Sequence, residues 1–154
     1  MIQTAGHQGL SGSEDGAAAD HADGSISRIL VVDDDPDVVS LIKEYLETQP
    51  GAELRYVVET AANGLEALAV VNSERPPDLI ITDVMMPRMS GIELLRAMDK
   101  LCLRVPVIAL TGHMDVAVIA GTLMAGATAY LPKPISFAYL DHLVSALLKI
   151  QGDA

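Results

Sequence analysis

The chain has 154 residues, of which 50% are hydrophobic and 20% are charged, and its formal net charge is −11. This length predicts one domain with a substantial core, and the composition excludes a fully disordered chain. The acidic balance argues against direct binding of nucleic acid, because nucleic-acid binders use basic surface to displace counterions. The single cysteine, Cys102, excludes an internal disulfide bond.

The sequence also gives expectations about membranes and compartment. The longest uncharged apolar stretch, Val116–Leu131, has 16 residues and two glycines, which is too short to cross a bilayer. The first residues show no basic patch followed by an apolar run, so we expect no secretory signal. A single cysteine fits a reducing compartment best. We therefore expect a cytoplasmic protein that does not contact a membrane.

Residues 1–27 differ in composition from the rest of the chain. They contain five glycines, four acidic residues and no lysine or arginine. Such a segment cannot bury enough apolar surface to offset the entropy lost on ordering. We predict a flexible acidic tail or linker over residues 1–27, one domain over residues 28–150, and a short C-terminal end over residues 151–154.

Five apolar runs predict five strands along the domain. In chain order they are Ile29–Val32, a weaker run at Leu54–Val58, Leu79–Ile81, Val105–Leu110 and Ala127–Leu131. The first and the fourth runs are rich in β-branched residues and do not alternate with polar residues. This pattern is typical of parallel strands that are covered on both faces.

Helical patterns lie between and after these runs, and each begins with a residue that can cap the first backbone amides. The capping residues are Asp35, Asn63, Ser90, Asp115 and Ser136. In the first helix we expect one apolar face made of Val38, Leu41, Ile42, Tyr45 and Leu46. The alternation of strand and helix, repeated five times, predicts a single three-layer α/β domain with helices on both faces of a parallel sheet.

Polar residues follow the predicted strands at the points where the strands end. Asp33 and Asp34 follow the first strand, Asp83 the third and Thr111 the fourth, and Lys133 comes two residues after the fifth. All strands of a parallel sheet point the same way, so these side chains are expected to meet at its carboxyl edge. That edge is where open α/β sheets bind ligands.

Three carboxylates at one edge present an electrostatic problem. Each pair of like charges 4 Å apart costs about 4 kcal/mol at an effective dielectric constant near 20, and one lysine cannot offset that. Either a proton is retained or a divalent cation binds, and oxygen ligands suit Mg²⁺ or Mn²⁺. A carboxylate beside such a cation is a usable nucleophile toward a phosphoryl group.

Four segments carry a resemblance to a known family. They are Val31–Pro36 (VVDDDP), Ile81–Gly91 (ITDVMMPRMSG), Ala109–Gly112 (ALTG) and Tyr130–Pro134 (YLPKP). In order and spacing they resemble the receiver domain of bacterial two-component response regulators, over about residues 28–150. The resemblance implies a flavodoxin-like, doubly wound sheet with strand order 2-1-3-4-5, the order of receiver domains.

The resemblance also implies roles for the residues at the carboxyl edge. Asp83 matches the aspartate that accepts a phosphoryl group from a histidine kinase or phosphotransfer protein. Asp34 matches a direct ligand of Mg²⁺, Asp33 a ligand that acts partly through water, and the backbone carbonyl of Met85 the third protein ligand. Lys133 matches the lysine that pairs with the phosphate.

The remaining implied roles concern switching and rate. Thr111 resembles the switch hydroxyl, Tyr130 the aromatic residue that moves inward with it, and Pro134 a residue that follows a cis peptide bond. Gly112, His113 and Met85 occupy positions where receivers vary their dephosphorylation rate. Methionine offers no charge to position an attacking water, so we expect slow autodephosphorylation.

The expected function is therefore a switch whose output face consists of the fourth helix, the fifth strand and the fifth helix. Its output partner would be a downstream protein or a linked output domain, or a second copy bound through the same face. It would catalyse only its own phosphotransfer and dephosphorylation. One alternative is a haloacid-dehalogenase-like phosphatase, although Asp33–Asp37 lacks the final Thr or Val of that motif. Another is a docking module that works without phosphorylation.

Overall fold

The computed structural model describes residues 26–49, 55–112 and 115–153, with a five-stranded sheet at its centre. The strands are β1 (Ile26–Val32), β2 (Arg55–Ala61), β3 (Leu79–Asp83), β4 (Val107–Thr111) and β5 (Ala129–Pro132). They pair in parallel in the order β2-β1-β3-β4-β5. This confirms the fold class and the strand order that the resemblance implies.

Five helices connect and follow these strands. They are α1 (Pro36–Glu47), α2 (Gly64–Val71), α3 (Gly91–Lys100), α4 (Val116–Met124) and α5 (Phe137–Asp153). The predicted capping residues are confirmed, because a side-chain oxygen of each accepts a backbone N–H of the first turn; they are Asp35, Asn63, Ser90, Asp115 and Ser136. Ser90 and Glu93 form a complete capping box, which fixes the start of α3.

The helices cover the sheet on both faces. Ile29 and Val31 of β1 pack in a cluster with α1 and α5, while Leu30 and Val32 pack in a second cluster with α2, α3 and α4. β3 and β4 are buried along their whole length. Two buried faces explain why these strands read as continuous apolar runs rather than as alternating ones.

The buried face of α1 differs from the predicted one. The buried residues are Val39, Ile42 and Leu46, whereas the side chain of Leu41 is 53% exposed. Val38 and Tyr45 are partly buried at the edge of this stripe. Residues 39, 42 and 46 share one side of a 3.6-residue helix, and Leu41 lies outside that stripe. The prediction that Leu41 faces the core is therefore wrong.

The ends of the domain also extend further than predicted. β1 begins at Ile26, because Ile26 and Ser27 pair with Arg55 and Tyr56 of β2, so two residues assigned to the tail belong to the sheet. α5 continues to Asp153, past the predicted boundary at 150. Residues 1–25 of the predicted tail lie outside the described residues. No helix within the described ranges has the length and apolar character needed to span a membrane.

Candidate functional site

The carboxyl ends of β1 and β3 bring three acidic residues together. β1 and β3 are adjacent, with Val32 opposite Thr82, so the residues that follow, Asp33 and Asp83, lie side by side. One carboxylate oxygen each from Asp33, Asp34 and Asp83 lies within 4.8 Å of the others. The structure therefore brings these three residues together as the sequence predicted.

Lys133 joins the two buried members of this group. Its Nζ lies 3.0 Å from Oδ2 of Asp33 and 3.4 Å from Oδ2 of Asp83, although 100 residues separate it from Asp33. The backbone N–H of Lys133 donates to the carbonyl of Thr111 at 2.8 Å, which fixes the lysine at the end of β5. The bond between Lys133 and Pro134 is cis, as the resemblance implies.

The three carboxylates have different surroundings. Asp33 is 2% exposed and Asp83 is 7% exposed, whereas Asp34 is exposed. Asp33 uses one oxygen for Lys133, and its Oδ1 accepts the backbone N–H of Asp35 at 2.9 Å. Asp34 lines a cleft of about 300 Å³ whose lining also includes Asp33 and Glu66. Asp34 is therefore the member of the group that solvent reaches most freely.

Burial and neighbouring charges shift the pKa values of Asp83 and Lys133. Burial raises the pKa of Asp83, and the charge of Asp33 raises it further, against the lowering effects of Lys133 and of the Met85 N–H. Burial alone would lower the pKa of Lys133, but the hydrogen bond to Asp33 and the charges of Asp83 and Asp33 outweigh it and raise that pKa. The ammonium is thus stabilised, while the ionised form of Asp83 is not.

The loop between β3 and α3, residues 84–90, begins directly after Asp83. The N–H of Met85 points to Oδ1 of Asp83 at 3.4 Å, and the Met85 side chain is 60% exposed. The N–H of Val84 donates to the carbonyl of Leu110 at 3.0 Å, which ties the start of the loop to β4. Met85 thus lies beside the carboxylate of Asp83, with its side chain toward solvent.

Thr111 and Tyr130 occupy the two strands on the far side of Asp83. Thr111 ends β4 and is 3% exposed, and Gly112 follows it and is exposed. Tyr130 in β5 is partly buried and packs against the cluster under α2, α3 and α4. His113 lies outside the described residues, so its predicted position is not tested.

Sequence reasoning missed the part that Gly91 plays at this site. A Cβ atom at Gly91 would lie 2.5 Å from the carbonyl oxygen of Asp83, closer than real Cβ contacts, and the Gly91 N–H donates to the carbonyl of Val84 at 2.9 Å. The first turn of α3 thus rests directly on the backbone of the acidic residue. Gly91 appeared in the sequence only as one letter of a motif, and nothing in its neighbours indicates a close approach.

The fold and the site define a class of protein, the doubly wound α/β domains with an acidic pocket and a lysine at the carboxyl edge. A sequence profile of the response regulator receiver domain matches residues 29–145. The chain therefore belongs to the response regulator receiver family, and it is a module of two-component signalling rather than a classical enzyme.

Individual relatives agree with this membership. The chain is 39% identical over 122 residues to response regulator MprA of Mycobacterium ulcerans, covering 79% of the chain and 50% of that protein. MprA of Mycobacterium tuberculosis gives the same identity and coverage. The chain spans about half the length of these curated relatives.

Solved structures of receiver domains also superpose on the chain. A CheY-like receiver domain protein from Methanospirillum hungatei has a TM-score of 0.74 and 34% identity, covering 84% of this chain and 98% of its own. The receiver domain of the Francisella response regulator 1452 has a TM-score of 0.73 and 32% identity, covering 81% and 98%. The receiver domain of a histidine kinase from Syntrophus aciditrophicus has a TM-score of 0.70 and 36% identity, covering 80% and 90%.

Proposed function

We propose that this domain is a phosphorylation-dependent switch in which Asp83 accepts a phosphoryl group from a histidine kinase or a phosphotransfer protein. The observation that carries the proposal is the position of the Lys133 ammonium, 3.0 Å from Asp33 and 3.4 Å from Asp83, beside the exposed Asp34. Asp83 is mostly buried, but its neighbour Asp34 is exposed to solvent. A phosphorylated histidine of a partner protein can approach it from that side.

The chemistry follows from the carboxylate and its neighbours. An oxygen of Asp83 attacks phosphorus, an O–P bond forms, and the N–P bond to the donor histidine breaks. The electron pair of that bond stays on the imidazole nitrogen, which takes a proton from water. Lys133 pairs with a phosphoryl oxygen as negative charge gathers there, and this pairing is strong because the lysine is partly buried. Thr111, at the end of β4, donates its hydroxyl to another phosphoryl oxygen.

The donor set at this edge fits a hard divalent cation. Three carboxylates offer oxygens within 4.8 Å of one another, and Lys133 does not offset the burial of Asp83 and the charge of Asp33, which together raise the pKa of Asp83. Asp34 would hold Mg²⁺ directly and Asp33 partly through water, together with Asp83 and the backbone carbonyl of Met85. Mn²⁺ suits the same oxygens. When bound, the ion neutralises charge on the phosphoryl oxygens.

The output of the switch rests on two residues and one face. Thr111 moves toward the new phosphoryl oxygens, and Tyr130 fills the space that it leaves. The face made of α4, β5 and α5 changes shape as a result, because a local charge event biases a two-state element. Turning such an element from mostly off to mostly on requires about 5.5 kcal/mol, within reach of several charge-assisted hydrogen bonds.

The partners and the location belong to the same proposal. The α4–β5–α5 face would bind a downstream protein, a linked output domain or a second copy of the chain. We place the protein in the cytoplasm, and we expect neither the membrane nor nucleic acid to be a direct partner of this domain. Its catalysis would be limited to its own phosphorylation and dephosphorylation.

The lifetime of the phosphorylated state depends on what stands beside the site. Met85 is 60% exposed and carries no group that orients water, so we expect slow hydrolysis of the acyl phosphate. Gly112 adds no side chain, and His113 is the other rate-tuning position. A phosphoryl half-life of seconds, measured after removal of the donor, would contradict this part of the proposal.

The direct test is incubation with phosphoramidate and Mg²⁺ followed by intact-protein mass spectrometry. The wild type is expected to gain one phosphoryl group, while Asp83→Asn and a wild-type sample in EDTA are expected to gain none. A wild type that gains no mass would overturn the proposal and favour a docking module. Continuous turnover of p-nitrophenyl phosphate would instead favour a phosphatase.

A further inference from the structure

The start of α2 is in close contact with the loop that follows Asp83. The N–H of Gly64, the first residue of α2, donates to the carbonyl of Met89 at 3.2 Å. A Cβ atom at Gly64 would lie 2.6 Å from that oxygen, 2.7 Å from Cγ of Met89 and 2.8 Å from its Cβ. The nearest obstacle is backbone, which cannot rotate away as the end of a side chain can.

α2 is poorly placed to retreat from this contact. The buried Asn63 caps the helix by accepting the N–H of Glu66 at 3.0 Å, and Glu66 in turn accepts the N–H of Ala62 at 3.1 Å. Ala67 and Val71 are fully packed beneath the helix. Movement of the first turn would disturb both the cap and this packing.

The loop is held on its other side as well. Gly91 rests on the carbonyl of Asp83, and its N–H donates to Val84. Within the loop, the N–H of Met89 donates to the carbonyl of Pro87 at 2.8 Å, and Arg88 has a φ of 70°, in the left-handed region. The loop of residues 84–90 is therefore held by close contacts with Gly64 at one end and Gly91 at the other. A displacement of Met89 would for this reason also displace the backbone near Asp83.

We propose that Gly64 is a positioning residue for the phosphoacceptor loop, because its lack of a Cβ lets α2 seat against the Met89 carbonyl and so sets where Met85 and Asp83 lie. The inference rests on the proposed function, since the affected groups are the acceptor and an implied ligand of Mg²⁺. Gly64 is not one of the residues that would hold the phosphoryl group or the ion. It acts through Met89 and the loop.

The test compares Gly64→Ala with Gly121→Ala. Gly121 is also a helical glycine, but a Cβ there would meet nothing within 4 Å. A misplacement of about 1 Å can cost about 100-fold in rate, so we expect Gly64→Ala to bind Mg²⁺ about tenfold more weakly and to react with phosphoramidate about tenfold more slowly. Gly121→Ala is expected to match the wild type in both. Calorimetric titration with MgCl₂ measures the affinity, and circular dichroism verifies folding.

A second measurement needs no variant and applies even where Gly64→Ala fails to fold. In ¹⁵N-labelled wild type, the amide resonance of Gly64 is expected to shift on addition of Mg²⁺, while that of Gly121 stays in place. Wild-type Mg²⁺ affinity in folded Gly64→Ala would overturn the inference. So would an unmoved Gly64 resonance in a protein whose Met85 resonance shifts. If the wild type itself accepts no phosphoryl group, the proposed function fails, which is a separate result.

Discussion

Replacing Asp83 by asparagine is expected to stabilise the metal-free protein while it ends phosphoryl acceptance. At an effective dielectric constant near 20, a charge 3.4 Å away, as in Lys133, attracts Asp83 by about 5 kcal/mol. A carboxylate within 4.8 Å, as in Asp33, repels it by at least about 3.5 kcal/mol, and the exposed Asp34 adds a smaller, screened repulsion. These contributions nearly cancel, so the cost of burial decides the sign. We therefore expect Asp83→Asn to have a higher free energy of unfolding than the wild type in the absence of metal.

The raised pKa of Asp83 also predicts that the free energy of unfolding of the metal-free protein depends on pH. The pKa of Asp83 is raised above its ordinary value of 3.8, so the native carboxyl keeps its proton to a higher pH than the unfolded chain does. The native state therefore binds more protons between those two values, and the free energy of unfolding falls as pH rises through that interval. Asp83→Asn lacks this contribution and should lose less stability across the interval than the wild type.

The assay is urea unfolding followed by circular dichroism, because the chain has no tryptophan to report by fluorescence. In EDTA, Asp83→Asn should be the more stable protein. At a Mg²⁺ concentration of 100 times the Kd, the free energy of unfolding of the wild type should rise by about 2.7 kcal/mol, and that of Asp83→Asn should rise by less. The difference in stability between the two proteins should therefore shrink or reverse. Asp115→Asn removes an exposed negative charge but keeps a side-chain oxygen that can cap α4, so it is the charge control and should follow the wild type. A less stable Asp83→Asn in EDTA would refute this reasoning.

Three further substitutions test individual contacts. Glu47→Gln should lower the free energy of unfolding at neutral pH by up to about 1 kcal/mol, because the N–H of Val58 lowers the pKa of Glu47 by donating to it. This contribution is present above the ordinary value of 4.5 and lost as pH falls through the native value, so the two proteins should converge in acid urea titrations. Gly91→Ala should cost about 1–3 kcal/mol in thermal unfolding and slow phosphorylation, because its Cβ collides with the Asp83 carbonyl. Ser90→Ala removes the capping box of α3 and should cost about 1 kcal/mol in the same thermal assay.

Each of these substitutions has a matched control in the described part of the chain. Gly121→Ala adds a methyl group where nothing lies within 4 Å, Ser40→Ala removes an exposed hydroxyl from the middle of α1, and Glu44→Gln removes an exposed charge one turn before Glu47. Losses of stability in these controls as large as in the test variants would show that the named contacts are not the cause. A Glu47→Gln protein that diverges from the wild type in acid would contradict the pH argument.

The helices and strands could be predicted from the sequence, and so could the meeting of the site residues at one edge of the sheet, because both depend on local signals. Each helix starts at a residue whose side chain caps it, as Ser90 does for α3. Asp33, Asp83 and Lys133 come together because each lies at or just after the carboxyl end of a parallel strand, and a parallel sheet gathers such ends at one edge. The strand order came from the resemblance, since strand pairing depends on contacts between distant segments.

The close approaches could not be predicted in this way. Gly64 and Gly91 are required where one backbone rests on another, and the sequence holds no measure of that distance. The exposure of Leu41 was missed for a related reason, because five apolar residues span more than one face of α1 and only packing decides which face is buried. Burial also distinguishes Asp33 from Asp34, although the two are neighbours of the same type.

The imbalance of charge at the site links its stability to its chemistry. In the proposed reaction Asp83 must be ionised to attack phosphorus, yet burial and the charge of Asp33 disfavour its ionised form, and Lys133 alone does not reverse that. A divalent cation bound at this site would favour the ionised carboxylate, and it would therefore stabilise the fold and prepare the proposed nucleophile in one binding event. Two Mg²⁺ titrations test this link. One follows the gain in stability against urea, extrapolated to zero denaturant, and the other follows the rate of phosphorylation by phosphoramidate. We expect the Mg²⁺ concentration at the midpoint to be the same in both. Midpoints that differ by tenfold or more would show that the ion acts on stability and on chemistry at different sites.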